Sequence, residues 1–163
     1  MGQYHITVNL DKREYITPHK IGLGLKLLEQ IGFAGSTGDI LMMLLACSND
    51  RGGGDIQTKH PELIGRWAGD RIAVVGDYCK RDDISGINIR EIHRLCRDHK
   101  YLDPADLEKI QADGETLFTD ISDELIPLIN EQFDYHLDPK EGGWRRRHGG
   151  DGPPMHPDMI LRG

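Results

Sequence analysis

The chain has little cysteine and no secretion signal. Its 163 residues contain three cysteines, Cys47, Cys79 and Cys96, and none of them forms a C-x-x-C pair. An odd and scattered set of this kind does not build a disulfide framework. The N-terminal MGQYHITVNL has neither a charged leader nor an apolar signal core. We therefore expect a cytoplasmic protein with reduced thiols.

Long apolar runs are also missing. The longest strongly apolar segment, from Ile40 to Cys47, has eight residues, whereas a helix that crosses a bilayer needs roughly 20. We therefore expect no membrane partner.

Recognised catalytic and cofactor motifs are absent as well. No G-x-S-x-G occurs. The glycines of GFAGSTG, residues 32–38, match neither the dinucleotide fingerprint nor the P-loop. The loop NDRGGGD, residues 49–55, lacks the ligand spacing of an EF-hand. The sequence predicts no cofactor, and the catalytic residues, if there are any, stay unassigned.

What is present is enough apolar material for one domain. Hydrophobic residues make up 37% of the chain, charged residues 29%, and 20 residues are glycine, a composition typical of a loop-rich globular protein. Residues 1–138 carry the periodic apolar pattern. Residues 139–163 are rich in Gly, Pro, Arg and His, and we expect them to form an extended or disordered tail.

The first half of the chain predicts a hairpin, two helices and a strand. Residues 4–16 alternate apolar and polar positions, and Pro18 keeps the second strand short or at an edge. GLKLLEQI predicts a brief helix with one apolar side. Asp39 is the expected cap of a helix that is apolar on nearly every side. RIAVV, residues 71–75, reads as a strand buried on both faces.

The second half predicts three helices and a short strand. A helix is expected around Ile89 and Ile92, and another begins at Asp103 with Pro104 at its first position. ETLFTDI favours a short strand, and Ser122 is the expected cap of a helix that contains Pro127. Together these elements predict a single α+β domain with a mainly antiparallel sheet of four to five strands and three to five helices.

Two Gly-Asp pairs flank the RIAVV strand, at Asp70 and Asp77. On an extended strand their carboxylates would lie roughly 23 Å apart and on opposite faces, so they cannot act as a catalytic dyad. Asp70 is expected in the turn that enters the strand. Asp77 follows the strand, where ligands collect in α/β sheets. We therefore predict a ligand site formed by Asp77, Tyr78 and His93.

The segment HRLCRDH places His93, Cys96 and His99 three residues apart on a helix. All three residue types bind zinc, but the outer two lie about 9 Å apart along the axis. A pair of His93 and Cys96 completed by Cys79 is the more reasonable metal set. The preferred interpretation is that Cys96 is a small buried hydrophobic residue, and no metal is predicted.

Negative charge is concentrated in one region. Residues 103–141 contain 12 acidic residues and only two basic ones, although the whole chain carries a net charge of −7. Such a run is usually a solvated helix face, and the sharper prediction is an interaction surface for a basic partner, formed by Asp120, Asp123, Glu124 and Glu131. The one compact basic run, WRRRH, holds Arg145, Arg146 and Arg147 and offers a phosphate or RNA contact. Nucleic acid is otherwise an unlikely partner for so acidic a chain.

The segments MGQY, VNLDKREY, RGGGD, WAGDRIAVVGDY and FTDIS resemble a group of small uncharacterised proteins of bacteria and their phages. The resemblance covers roughly the first 125 residues and implies no activity. With the charge pattern it favours a small binding or interaction protein, associated with a phage or mobile element, that acts on a host protein or a nucleotide signal. The alternative is an enzyme or ligand-binding domain with its pocket at the end of strand 71–77, with or without a metal ion.

Overall fold

The computed structural model describes residues 2–31, 34–98, 101–133, 135–138 and 143–146. Its main sheet has four strands in the order β3-β1-β2-β4. These strands are β1 (His5–Asn9), β2 (Glu14–Ile16), β3 (Ile72–Gly76) and β4 (Thr119–Asp120). The predicted opening hairpin is confirmed, because β1 and β2 pair antiparallel, with Val8 opposite Tyr15.

Four α-helices accompany this sheet in the described ranges: α1 (Thr37–Leu45), α2 (Ile89–Leu95), α3 (Pro104–Ala112) and α4 (Ser122–Gln132). Short 3-10 helices cover Pro18–Ile21, Leu27–Gln30 and Pro61–Leu63. The predicted single α+β domain is confirmed. So is the start of α3, where the Asp103 carboxylate accepts a hydrogen bond from the Ala105 amide at 3.0 Å and Pro104 takes the first position.

The sheet is mixed, whereas the sequence predicts a mainly antiparallel one. β1 pairs antiparallel with β2 and β3, but β4 runs parallel to β2. The amide of Thr119 donates to the Arg13 carbonyl at 2.9 Å, and the amide of Ile121 donates to the Tyr15 carbonyl at 3.0 Å. About a hundred residues separate β2 from β4, so the packing of α1, α2 and α3 between them decides the strand's direction.

Two apolar clusters lie on opposite faces of the sheet. Neighbouring residues of a strand point to opposite faces, and on β2 Tyr15 belongs to one cluster and Ile16 to the other. Helices α1 and α4 cover the Ile16 face, together with the fully buried Trp67. Residues of α2 and α3 cover the Tyr15 face. The sheet is thus enclosed between two helical layers.

Strand β3 is present as predicted, but it is not buried on both faces. It lies at an edge of the described sheet, pairs with β1 alone, and leaves Val74 46% exposed while Val75 is buried. A continuous apolar run is typical of a central strand. RIAVV is an edge strand because β1 is its one partner among the described strands, and it is not buried on both faces because α2 and α3 cover the face on which Val75 lies.

The start of α1 differs from the predicted one. Its N-cap is Ser36, whose hydroxyl accepts a hydrogen bond from the Asp39 amide at 3.2 Å. Asp39 lies three residues further on and accepts from the Gly35 amide at 2.8 Å, so it ties the residue before the N-cap to the first turn of the helix. The helix is apolar on nearly every side, but it is not buried on every side, because Met42 is 73% exposed.

The segment GLKLLEQI forms only the 3-10 turn Leu27–Gln30, and its predicted apolar side is wrong. Leu28 is 78% exposed, whereas Gln30 is buried. The Gln30 side-chain amide donates to the carbonyls of His5 and Leu25, each at 3.0 Å. Burial of Gln30 is tolerated because both hydrogen bonds of its side-chain amide go to backbone carbonyls.

The C-terminal strands β5 (Tyr135–Asp138) and β6 (Gly143–Arg146) form a separate antiparallel pair. This pair crosses the boundary predicted at residue 139, because Leu137 lies opposite Trp144. The rest of the predicted tail, residues 139–142 and 147–163, lies outside the described residues.

Candidate functional site

The two aspartates of the Gly-Asp pairs occupy opposite ends of β3, as the sequence predicts. Asp70 lies in the turn before the strand, where its carboxylate accepts from the Asn9 side-chain amide at 2.8 Å and from the Lys12 ammonium. The Lys12 and Asn9 contacts hold the pKa of Asp70 below its ordinary value. Asp70 therefore has a structural role in the turn.

Asp77 is held at the exit of β3 by two hydrogen bonds to one residue. Its amide donates to the Tyr4 carbonyl at 2.9 Å, and its Oδ1 accepts from the Tyr4 amide at 2.9 Å. These bonds orient the Asp77 carboxyl group beside β1 and fix where the chain leaves the sheet. A rigid strand end is a suitable support for a ligand-contacting group.

Helix α2 brings basic groups to the same place. Its N-cap is Asn88, whose side-chain oxygen accepts from the Glu91 amide at 3.3 Å. Residues 90, 93 and 94 follow at helical spacing and share one side of the helix. That side therefore presents Arg90, His93 and Arg94 together.

A cavity of about 420 Å³ lies between the end of β3 and α2. Its volume falls within the range of small-molecule sites. The sequence-predicted residues Asp77 and His93 both line it, whereas Tyr78 is 57% exposed and does not. The cavity is lined by one aspartate, one glutamate, one histidine, four arginines and two further residues: Asp77, Cys79, Arg81, Asn88, Arg90, Glu91, His93, Arg94 and Arg97.

The arginines of this cavity differ in how fully they are neutralised. Arg94 forms ion pairs with Glu91 and Glu115, and Arg97 lies 3.9 Å from Asp106. Arg90 donates to the Cys79 carbonyl at 3.3 Å. Within the described part of the chain, neither Arg81 nor Arg90 has a carboxylate within ion-pair distance. The cavity therefore keeps positive charge that an anion can neutralise.

His93 is a neutral donor or acceptor in this cavity. Burial lowers the pKa of its imidazole, Asp77 opposes that effect, and the charges of Arg97 and Arg90 add to it. A pKa below the ordinary value of 6.5 leaves the ring uncharged at neutral pH. His93 can then hydrogen-bond a ligand without adding a charge.

The two nearby thiols are held in the protonated form by burial. Burial raises the pKa of Cys79, and burial raises the pKa of Cys96 to about 12. A thiol is nucleophilic or metal-ligating as the thiolate. Among the residues that the structure describes, no three His, Cys, Asp or Glu side chains come together as metal ligands. His99, the third member of the HRLCRDH set, lies outside the described residues.

The predicted acidic surface on and near α4 is largely occupied by contacts within the chain. Asp120 accepts from Ser122 and from the Lys20 ammonium at 2.9 Å. Glu124 pairs with Arg66 at 2.5 Å. Glu131 accepts from the Thr58 hydroxyl and from the Lys59 amide at 2.7 Å. Asp123 is exposed in the first turn of α4.

The predicted basic run divides between described and undescribed residues. Arg145 and Arg146 lie on β6, opposite His136 and Tyr135 in the strand register. Arg147 lies outside the described residues.

Sequence reasoning missed the four arginines of the cavity. The signal was present, because Arg90, Arg94 and Arg97 recur at helical spacing in the segment around His93. Their grouping with Arg81 depends on the turn between β3 and α2, which brings the two segments face to face.

Comparisons with known proteins assign no family or function to this chain. Searches of protein-family models, curated proteins and solved structures found no match to this chain. The resemblance to small bacterial and phage proteins therefore stays a prediction. Within the described ranges, every helix is too short or too polar to cross a membrane.

Proposed function

We propose that this chain is a small binding protein whose ligand is an anionic small molecule, held in the cavity between β3 and α2. The observation that carries the proposal is the set of four arginines on one cavity of a chain whose net charge is −7. Arginine is suited to anion recognition because its planar guanidinium offers a fork of donors to phosphate or carboxylate oxygens.

The residues of the cavity have different roles in this proposal. Arg81 and Arg90 supply the positive charge that lacks a carboxylate partner, and Arg94 is positioned by Glu91 and Glu115. His93 adds a neutral hydrogen-bonding group. Asp77 repels the anionic part of a ligand and so restricts it to the arginine side of the cavity.

The cavity offers better support for a ligand than the acidic surface does for a basic protein partner. Three of the four predicted surface acids, Asp120, Glu124 and Glu131, already have cationic or hydrogen-bonding partners within the chain. A carboxylate that is already paired gains less from a second cation. For the enzyme alternative, the raised pKa values of Cys79 and Cys96 argue against a thiolate nucleophile at this cavity.

Calorimetric titration with inorganic pyrophosphate tests this proposal. We expect saturable binding, and a loss of roughly 10- to 100-fold in affinity for Arg90→Ala, since a charge-assisted hydrogen bond contributes about 1.5–3 kcal/mol. The matched control is Arg51→Ala, which removes an exposed arginine of the glycine loop that does not line the cavity.

The same titration separates the cavity from the basic run of the tail. The triple variant R145A/R146A/R147A should bind pyrophosphate as the parent does. The proposal is wrong if pyrophosphate does not bind, or if Arg51→Ala or the triple variant loses as much affinity as Arg90→Ala.

A further inference from the structure

A second cavity of different chemistry lies beside the anion cavity. This neighbour has a volume of about 550 Å³ and is formed by the loop from Arg81 to Asn88. Arg81 and Asn88 line both cavities. The two cavities therefore adjoin at these residues and are called the groove below, with arginines at the α2 end and, at the other end, a loop whose charged lining residues are Arg81 and Asp82.

The loop end of the groove is a tight turn with an apolar base. Ile84 and Ile87 pair as an isolated antiparallel bridge, and the Ile87 amide donates to the Ile84 carbonyl at 3.2 Å. Gly86 has φ 75°, a conformation that favours glycine, and closes the turn. This turn holds the half-buried side chains of Ile84 and Ile87 next to each other on the groove wall.

Polar groups surround this apolar surface. Asn88 uses its side-chain oxygen to cap α2, which leaves its amide hydrogens to donate into the groove. Ser85 supplies a hydroxyl, and the exposed Asp82 supplies a carboxylate acceptor. An apolar surface edged with donors and acceptors suits a flat heterocycle that has polar edges.

We propose that the ligand is a nucleotide, with its phosphates on Arg81 and Arg90, the two cavity arginines that lack a carboxylate partner in the described chain, and its base against Ile84 and Ile87 in the loop. This inference rests on the proposed anion site and names the class of its ligand. Asp82 disfavours a second phosphate group at the loop end but accepts hydrogen bonds from the N–H groups of a base. Arg81, shared by both cavities, contacts the junction between base and phosphates.

The test compares inorganic pyrophosphate with the four common ribonucleoside diphosphates by calorimetric titration of the full chain. We expect at least one diphosphate to bind about tenfold more tightly than pyrophosphate, which corresponds to 1.4 kcal/mol from the nucleoside. Asp82→Ala should weaken that diphosphate several-fold and leave pyrophosphate binding equal or tighter, because it removes an acceptor for the base and a negative charge near the phosphates.

Two further variants keep the test specific. Ile87→Ala should reduce the nucleotide's advantage over pyrophosphate, whereas Ile31→Ala, an exposed isoleucine outside the groove, should not. Asp82 is exposed, so its substitution reports on the groove even if Ile87→Ala perturbs the fold.

The outcomes separate the two proposals. Pyrophosphate binding without any added affinity from a nucleoside overturns the nucleotide inference and leaves the anion site standing. Absence of binding by pyrophosphate and by every nucleotide overturns both.

Discussion

Glu14 is a half-buried carboxylate that links side chains from three parts of the chain. Its carboxylate accepts from the indole nitrogen of the fully buried Trp67 at 2.6 Å, and from the Arg66 guanidinium at 2.7 Å. Arg66 extends the network to Glu124 at 2.5 Å. One glutamate thus joins β2 to the segment that follows the Pro61–Leu63 turn and, through Arg66, to α4.

Glu14→Ala should lower the free energy of unfolding by about 2–4 kcal/mol, because it leaves a buried indole N–H and a partly buried guanidinium without their acceptor. Urea unfolding followed by tryptophan fluorescence measures the change. Glu62→Gln is the control, since the Glu62 side chain is 67% exposed and its loss should stay within about 0.5 kcal/mol. Equal effects from the two variants would contradict the assigned role of Glu14.

His93 makes stability depend on pH in a defined direction. Burial, with Arg90 and Arg97, depresses its folded-state pKa below 6.5 against the opposing effect of Asp77. The unfolded chain therefore binds the proton more readily, and folding stability falls as pH drops below about 6.5. Urea unfolding at about pH 8 and about pH 5.5 should show a smaller acid loss for His93→Gln than for the parent. An unchanged acid loss in His93→Gln would contradict this assignment.

At the scale of the element, the beginning of α4 is tied to the opening hairpin. Asp120 Oδ1 accepts from the Ser122 amide at 2.9 Å and from its hydroxyl at 2.6 Å, while the Ser122 hydroxyl accepts from the Thr17 amide at 2.8 Å. The formal N-cap is Ile121, so the predicted cap Ser122 is the first helical residue instead. Asp120 serves as the capping acceptor one residue earlier.

Asp120→Ala should cost about 1–3 kcal/mol, because it removes the acceptor for the Ser122 amide and the partner of Lys20. Asp123→Ala is the matched variant, since it removes an exposed first-turn acid and should cost less than about 1 kcal/mol. Thermal or urea unfolding distinguishes them. If Asp123→Ala destabilises as much as Asp120→Ala, the capping role of Asp120 is incorrect.

Element boundaries followed from local sequence where a single residue controls the backbone. Pro104 after Asp103 begins α3 because proline suits a first helical position and aspartate suits the cap. The segment GLKLLEQI shows the opposite case. Its apolar residues predict a buried helix side. Instead Gln30 is buried, and its side-chain amide donates hydrogen bonds to two backbone carbonyls.

At the scale of the whole molecule, the charges are segregated. The chain is acidic overall, and acidic residues predominate between residues 103 and 141. Four arginines on α2 and on the segments before and after it nevertheless line one cavity. Local field, rather than net charge, governs what such a cavity attracts. Because the net charge of the protein repels an anion, the arginines nearest the cavity must supply the attraction. The affinity for an anion should therefore depend strongly on these groups.

Pyrophosphate affinity should fall several-fold between about 50 mM and about 300 mM NaCl, because added salt screens the exposed arginines. The Arg90→Ala variant should show a shallower dependence on salt, since one of those charges is gone. Titration calorimetry at both salt concentrations provides the measurement. An affinity independent of salt would contradict an electrostatic site.

The sequence by itself determined the features that depend on neighbouring residues. The opening hairpin followed from alternation, the turn at Asp70 from its glycine, and the separation of Asp70 from Asp77 from the rise of an extended strand. The α+β class followed from the order of such elements. These inferences hold because backbone conformation is set largely by short-range sterics and hydrogen bonds.

Only the tertiary structure decided what meets across the chain. It placed β4 parallel to β2, put β3 at an edge, paired Glu131 with Thr58 and Lys59, and brought Arg81 to the arginines of α2. Such contacts depend on how the helical layers pack on each face of the sheet, a balance of many small packing terms that no local pattern encodes. The candidate ligand groove arises from that packing.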